Sequence, residues 1–262
     1  MSNTVLPEIT NIPAVERGAP PLGGWYALLK PVTDFVLASL LLIPAIPLMI
    51  LAALAVKLTS KGPVFYVQIR LGRHGQPFSI YKIRSMYHDC ERMTGAVWAK
   101  KNDARITPVG RLLRATHLDE LPQLVNVLRS EMSLVGPRPE RPEIVPALEA
   151  LIPRYRERLQ VKPGVTGLAQ VQAPADTDTA SVRRKLLYDL YYIHRQGFWM
   201  DLRLIGCTAI KCVGAGYETQ RLLFGLPQPE LVLKEMDLRI EFESATPELL
   251  SPCARLEMVT DQ

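Results

Sequence analysis

Charged side chains are absent from Val36 to Val56 (VLASLLLIPAIPLMILAALAV), a run of 21 residues that is almost wholly apolar. A straight helix of that length reaches about 32 Å, enough to cross a hydrocarbon core of about 30 Å. Pro44 and Pro47 complicate such a helix, because each removes a backbone donor and clashes with the preceding turn. The flanks, Val36 to Ile43 and Leu48 to Val56, are each only about 12–14 Å long as helices. Three readings follow. Ala53-Leu54-Ala55 resembles a signal-peptide cleavage site, but the run is too long and lacks a strongly basic start. A kinked spanning helix is tolerated where neighbours satisfy the freed backbone. A sharp bend would instead return the chain to the face it entered from. Physics alone slightly favours spanning. Lys57, Lys61, Arg70 and Arg73 follow closely and place the downstream chain in the cytoplasm. Lys30 and Asp34 precede the run, where they would sit at the interface. No other stretch is long enough to span.

Beyond the turn signal Lys61-Gly62-Pro63, VFYVQIR (Val64 to Arg70) and FSIYKIR (Phe78 to Arg84) predict two strands joined through Gly72-Arg73-His74-Gly75 as a hairpin. Thr107-Pro108 is an N-cap followed by proline at the first helical position, opening a helix over Val109 to Arg114. Leu121, Leu124, Val125 and Leu128 share one face of a helix over Glu120 to Leu128. Gly136-Pro137-Arg138-Pro139 predicts a rigid loop. Ile152 to Gln160 reads as a basic helical stretch ending at Lys162-Pro163-Gly164. Arg183 to Arg195 and Trp199 to Val213 predict two further helices. The fold class is therefore α/β, mostly helical with a small β-hairpin.

Composition narrows the class. Hydrophobic residues at 48% and charged residues at 22% exclude a disordered chain. The excess of 31 basic over 26 acidic residues, +5, is modest, and nucleic acid is not an expected partner. The four cysteines form no CxxC or zinc spacing, which fits a reducing compartment without a disulfide framework.

Candidate chemistry concentrates between Thr107 and Glu140. Asp119 and Glu120 stand side by side where a helix is predicted to begin. Pro122 is tolerated only in a first turn, which places the start at Asp119 and its carboxylate at the positive helix end. That end also attracts phosphate, at about 0.3–1 kcal/mol per exposed charge. Capping alone is the commoner role for such an aspartate, and the surrounding residues weigh against it. Arg114 and the proline-flanked Arg138 add guanidinium groups, the preferred bidentate phosphate ligands. Two carboxylates, arginines and a helix tip suit a diphosphate bound with Mg²⁺, which uses one or two carboxylates plus substrate phosphates. An aspartate can also attack phosphorus covalently. Arg154, Arg156, Arg158, Lys162, Arg183, Arg184 and Lys185 read as contacts to anionic headgroups, or else as solvated faces. Tyr188, Tyr191 and Tyr192 read as packing rather than a base-stacking platform.

The ordered motifs KLTSKGPVFYVQIRLGRHGQPFSIYKIRSM, DARITPVGRLLRATHLDELPQL, NVLRSEMSLVGPRPERPE and VKPGVTGLAQV resemble the bacterial sugar transferases, also called monotopic phosphoglycosyl transferases. The resemblance runs from about Lys30 to Tyr217. It implies transfer of a sugar 1-phosphate from a nucleotide sugar, with uridine the expected base, to polyprenyl phosphate with release of a nucleoside monophosphate. That step begins exopolysaccharide, capsule, O-antigen or glycan assembly on the cytoplasmic face of the bacterial inner membrane. It further implies that Asp119 forms a covalent phosphosugar intermediate and that Glu120 helps hold Mg²⁺ or orients the nucleophile. Arg114 and Arg138 would bind phosphate, with Lys82, Arg84, Lys162 and Gln170 as further candidates for the same surface. The family's membrane element is a re-entrant helix–break–helix, and Pro47 lies in the matching place, thirteen residues after Asp34. Ile46 stands where some members have serine, and Pro44 adds a second break. With the resemblance weighed in, re-entrant is preferred to spanning. The resulting division is a disordered leader (1–24), a membrane-embedded element (25–60), a catalytic domain (61–217) and a C-terminal appendage (218–262). Membrane lipid is an expected partner, and association between copies of the chain is left open. Two rival readings use the same residues: a membrane-tethered scaffold in which Asp119 only caps a helix, and a one-step transferase in which it only binds metal.

Overall fold

A computed structural model describes residues 25–88, 90, 103–173, 178–212 and 214–236. The leader 1–24 and the end of the appendage, 237–262, lie outside the described residues. The helices are α1 (Trp25–Thr59), α2 (Pro108–Ala115), α3 (Gln123–Leu128), α4 (Val145–Leu151), α5 (Leu168–Gln172), α6 (Thr179–Arg195), α7 (Phe198–Cys212), α8 (Tyr217–Phe224) and α9 (Pro229–Met236). The strands are β1 (Phe65–Leu71), β2 (Pro77–Ile83), β3 (Ser133–Val135) and β4 (Gly164–Thr166). The architecture is mostly helical with two small sheets.

The helix α1 has 35 residues, about 52 Å, and is long and apolar enough to cross a membrane. It is not detached from the rest of the molecule. Ala38, Ala45 and Ala52 recur every seven residues and are buried, as is Val56. Such small side chains let the α1 backbone lie close to the domain. Ala38 and Ala45 join the main core, and Ala52 and Val56 pack with Ile83 and Leu113. The opposite faces, with Leu28, Leu40, Ile43, Leu51 and Leu58, are exposed. The interruption expected at Pro44 and Pro47 is not a gap in the helix, which continues through both and through Pro31. The missing amides of Pro44 and Pro47 free the carbonyls of Leu40 and Ile43, both exposed residues.

Polar ties fix both ends of α1. Tyr26 Oη and Lys30 Nζ donate to the Asp201 carboxylate of α7, and Tyr192 Oη donates to its other oxygen at 2.8 Å. Asp34 accepts from Ser133 Oγ at 2.7 Å and Leu134 N at 3.2 Å. At the far end, Arg84 donates to the backbone oxygens of Lys61 (2.7 Å) and Ser60 (2.9 Å).

The predicted hairpin is present, each strand displaced by one residue, with antiparallel register from Phe65 opposite Ile83 to Leu71 opposite Pro77. The Thr107 cap is also present: its Oγ1 accepts from Gly110 N at 2.9 Å, with Pro108 opening α2. The helix α6 starts four residues before the expected Arg183, because Asp178 and Ser181 form a reciprocal capping box ahead of the first apolar position. Tyr188, Tyr191 and Tyr192 are buried packing residues.

Two further features depart from the sequence reading. The stretch Ile152 to Gln160 is not a basic lipid-facing helix. Tyr155–Gln160 is a 3₁₀ turn entered through Arg154 at φ 62. Its arginines pair within the protein: Arg154 with Glu157 (2.7 Å), Arg156 with Glu149 (3.3 Å) and buried Arg158 with Asp189 (2.7 Å). Residues beyond Thr219 also reach inward. Leu226, Val232 and Met236 join the core, and Phe224 packs on Gly206.

Candidate active site

The hairpin, one turn and one loop build the site. The strand β2 presents Lys82. A 3₁₀ turn, Leu118–Glu120, presents Asp119 and Glu120. The loop after β3 presents Arg138. That loop is held tightly: Gly136 N donates to Thr166 O and Gly164 N to Pro137 O, both at 2.8 Å, and Leu71 N donates to Glu140 O at 3.0 Å. Parallel pairing of β3 with β4, Ser133 opposite Gly164 and Val135 opposite Thr166, thus sets Gly136-Pro137-Arg138-Pro139 against Lys162-Pro163-Gly164. Gly164 is required there, since a Cβ would lie 2.1 Å from Gly136 N.

Asp119 does not open an α-helix, contrary to the expectation from Pro122. That proline takes the N-cap position of α3, whose first residue is Gln123, and leaves Asp119 upstream in the tighter turn. His117 enters the turn in the left-handed region at φ 56. The field at Asp119 therefore comes from side chains and not from a helix tip.

The two carboxylates differ sharply. Glu120 is clamped: Lys82 Nζ and Arg138 Nη2 donate to Oε1 at 2.9 and 2.6 Å, and Arg138 Nη1 donates to Oε2 at 3.3 Å. Burial alone would raise its pKa, yet Arg138 and Lys82 outweigh burial and hold the carboxyl well below the usual range. Asp119 is buried at 6% exposure, and among the described residues no hydrogen bond or ion pair engages its carboxylate. Burial, and then the charge of Glu120, raise its pKa, while Lys82, Arg114 and Arg138 oppose that rise. A titration of the Asp119 carboxyl by ¹³C NMR should give a midpoint above the ordinary value of about 3.9. Glu120→Gln should lower that midpoint and Lys82→Met should raise it further.

The eight predicted site residues separate. Asp119, Glu120, Lys82 and Arg138 come together, and Arg114 lies within electrostatic reach of Asp119. Arg84 does not join them, because its guanidinium binds the end of α1. Lys162 faces another neighbourhood, that of Asp34, Arg73 and Lys30. Gln170 Nε2 donates to Val165 O at 3.1 Å, and the Gln170 backbone oxygen accepts from Lys211 Nζ at 2.6 Å.

Lys211 and His117 were not singled out in the sequence. Lys211, on α7, acts electrostatically on His117, Arg138 and Glu120. A signal existed: Leu204, Cys207 and Lys211 fall on one helical stripe, and the first two are fully buried, so a cation stands in register with core positions. For His117, burial and the charge of Lys211 lower the pKa, which favours the neutral ring at pH 7.

Among the described residues no group of three His, Cys, Asp or Glu side chains is arranged to hold a metal alone. Magnesium does not need such a cage, since it keeps waters and takes substrate phosphates with one or two carboxylates. The uncommitted Asp119 fits that mode. Glu120 is already committed to two cations. In all, a bare carboxylate lies among Lys82, Arg114 and Arg138, with Lys211 acting beside them on Glu120, and the summed charge of these cations exceeds that of the dyad and suits a multiply charged phosphate.

A profile of the bacterial sugar transferase family matches residues 25–215. A UDP-glucose:undecaprenyl-phosphate glucose-1-phosphate transferase of Klebsiella pneumoniae is 43% identical over 206 residues, covering 78% of this chain and 44% of that protein. A protein of the same name from Caulobacter vibrioides is 46% identical over 180 residues, covering 68% and 67%. A UDP-N-acetylgalactosamine-undecaprenyl-phosphate N-acetylgalactosaminephosphotransferase of Aeromonas hydrophila is 41% identical over 193 residues, covering 73% and 45%. The chain thus spans less than half the length of the Klebsiella and Aeromonas relatives.

Proposed function

Because the chain belongs to the bacterial sugar transferase family, we propose that it is an enzyme that moves a sugar 1-phosphate from a nucleotide sugar to a polyprenyl phosphate, in two displacements through Asp119. The observation that carries this reading is the bare Asp119 carboxylate beside a clamped Glu120. Names of the relatives support undecaprenyl phosphate as acceptor and a UDP-sugar as donor.

In the first displacement an Asp119 oxygen attacks the phosphorus that carries the sugar. The bond from that phosphorus to the bridging diphosphate oxygen breaks, and the nucleoside monophosphate leaves with the electron pair. In the second, an oxygen of the lipid phosphate attacks the same phosphorus and returns Asp119 as a free carboxylate. Phosphoryl transfer asks mainly for positioning and charge stabilisation. Arg138 and Lys82 are held by Glu120 and supply that charge without reorganising, so Glu120 acts as a strut between two cations. Arg114 and Lys211 add positive potential at the edge. When bound at Asp119, Mg²⁺ would neutralise further charge on the diphosphate.

Both ends of α1 are tied to one body, at Asp201 and at Arg84. A spanning helix would carry its ends to opposite sides of the bilayer. This supports a re-entrant placement, with α1 in one leaflet and the domain on the cytoplasmic face of the inner membrane, as Lys57 and Lys61 also favour.

The test is incubation of the purified protein with UDP-[¹⁴C]glucose and, separately, UDP-N-acetyl[¹⁴C]galactosamine, without lipid. Label on the protein with matching UMP release is expected for at least one donor. Transfer that occurs only on adding polyprenyl phosphate, with no labelled protein at any time, would replace the two-step route by a one-step one. If a wider set of nucleotide sugars gives no transfer either, the enzymatic reading fails.

A further inference from the structure

Gln123 opens α3 and is only 1% exposed. Glutamine is mostly a surface residue, so its complete burial calls for hydrogen-bond partners. Among the described residues its side-chain nitrogen, shut off from solvent, donates to nothing. One turn further on, buried Asn126 shows the usual arrangement. Its Oδ1 accepts from Tyr81 N at 3.1 Å, and its Nδ2 donates to Ser79 O and Glu131 Oε2, both at 2.7 Å. A buried N–H without an acceptor is a net cost that folded proteins rarely leave standing.

Asp119 is the opposite orphan, a buried acceptor that no donor engages among the described residues. It lies four residues before Gln123. A run of hydrogen-bonded turns joins the two: Glu120 N donates to His117 O and Leu124 N to Leu121 O, both at 3.1 Å, and Val125 N to Pro122 O at 3.0 Å. On a helical path, residues four apart share a face, and a long side chain leans back over the preceding turn. Gln123 therefore leans towards the turn that carries Asp119. Lys82 and Arg138 already donate to Glu120, which leaves the Gln123 amide as an uncommitted donor in this run.

We propose that Gln123 is a positioning residue for the second displacement, its amide donating to the Asp119 oxygen that is not bonded to phosphorus. The proposal rests on the two-step reading above. In the first displacement Asp119 gives up its negative charge to form the ester, and a donor on the carboxylate adds nothing there. In the second, an oxygen of the lipid phosphate bonds to phosphorus while the bond from phosphorus to Asp119 breaks. The electron pair returns to Asp119, and charge grows on both carboxylate oxygens. A donor already in place stabilises that charge without reorganising. A neutral amide suits the task, because a cation there would hold the charge of the resting carboxylate too firmly for attack on phosphorus.

Gln123→Met keeps the length and volume of the side chain and removes the donor. Parent and variant are each labelled with UDP-[¹⁴C]glucose or UDP-N-acetyl[¹⁴C]galactosamine without lipid, then chased with polyprenyl phosphate. Label should enter the variant at the parent's rate, and its loss in the chase should be about 10- to 100-fold slower. The urea midpoint should not fall, since methionine leaves no unpartnered N–H behind. Equal slowing of both phases would make Gln123 a packing residue, and a chase at the parent's rate would make it a bystander. Either result overturns the proposal and leaves the parent's adduct, and so the two-step reading, intact. A parent that never takes up label removes the two-step reading and this proposal with it. The parent adduct also gives a test that needs no variant. With aspartate ¹³C-labelled at its side-chain carboxyl, the difference infrared spectrum of the adduct should show the ester carbonyl below the position of a free acyl phosphate in an apolar solvent. A band at the free position overturns the proposal.

Discussion

Replacing Asp119 with asparagine is expected to abolish the labelled phosphosugar adduct and to cut transfer to polyprenyl phosphate by a factor on the order of 10⁴. Asparagine has nearly the same volume and can occupy the same 3₁₀ turn. Because the Asp119 carboxylate accepts no hydrogen bond among the described residues, the substitution breaks no tie. It removes a buried charge that burial and Glu120 both disfavour, so the variant should unfold at the same urea concentration as the parent or a slightly higher one. Loss of activity with full stability separates a nucleophile from a capping residue, whose role asparagine keeps. Measured turnover near the parent rate would instead leave Asp119 as a bystander. Turnover without any adduct in the parent protein would leave it as a metal ligand only.

Arg158→Met should destabilise the protein by about 3–5 kcal/mol, read as a lower urea midpoint in detergent. Arg158 is buried and serves four partners: Asp189 at 2.7 Å, Glu140 at 3.6 Å, Tyr155 Oη at 2.7 Å and the Arg138 backbone oxygen at 2.9 Å. Methionine fills much of the stem's volume but leaves Asp189, itself only 2% exposed, as an uncompensated buried charge. The double variant Arg158→Met, Asp189→Leu should recover most of the loss, because removing both charges together costs far less than removing one. If Arg158→Met alone melts like the parent, the pair is not buried as described. The contact to the Arg138 backbone adds a second effect, a looser Arg138 loop, which should show as weaker donor binding in whatever fraction stays folded.

What the sequence made legible was local. A charge-free run marks α1, alternation marks the hairpin, and Thr107-Pro108 marks the start of α2, since each depends on residues a few positions apart. The adjacent Asp119 and Glu120, with Arg114 and Arg138, are legible as chemistry because such residue types rarely crowd together without a charged ligand, whereas Lys82 is marked only by the family resemblance. What stayed hidden was produced by distant pairing. Two three-residue strands, β3 and β4, carry too little pattern to be read, yet their pairing seats the Arg138 loop. Arg158 looked like one of several surface cations because its partners Glu140 and Asp189 lie 18 and 31 positions away along the chain. The turn at Asp119 was misread because proline is compatible with several early helix positions, and the left-handed His117 that sets the turn leaves no mark in composition.

The Tyr26 and Lys30 ties to Asp201 bear on how the chain is made. Lys30 and Asp201 are 171 residues apart. At about 5–20 residues per second a ribosome needs roughly 10–35 s to reach the second after the first. For much of that interval α1 has been made while the carboxylate of Asp201 does not yet exist; Lys30 then has only Asp34 and water or headgroups, and Asp34 gains Ser133 and Leu134 once they have been synthesised. The joint between the start of α1 and Asp201 therefore closes late, once α7 has been synthesised and can take up Tyr26 and Lys30.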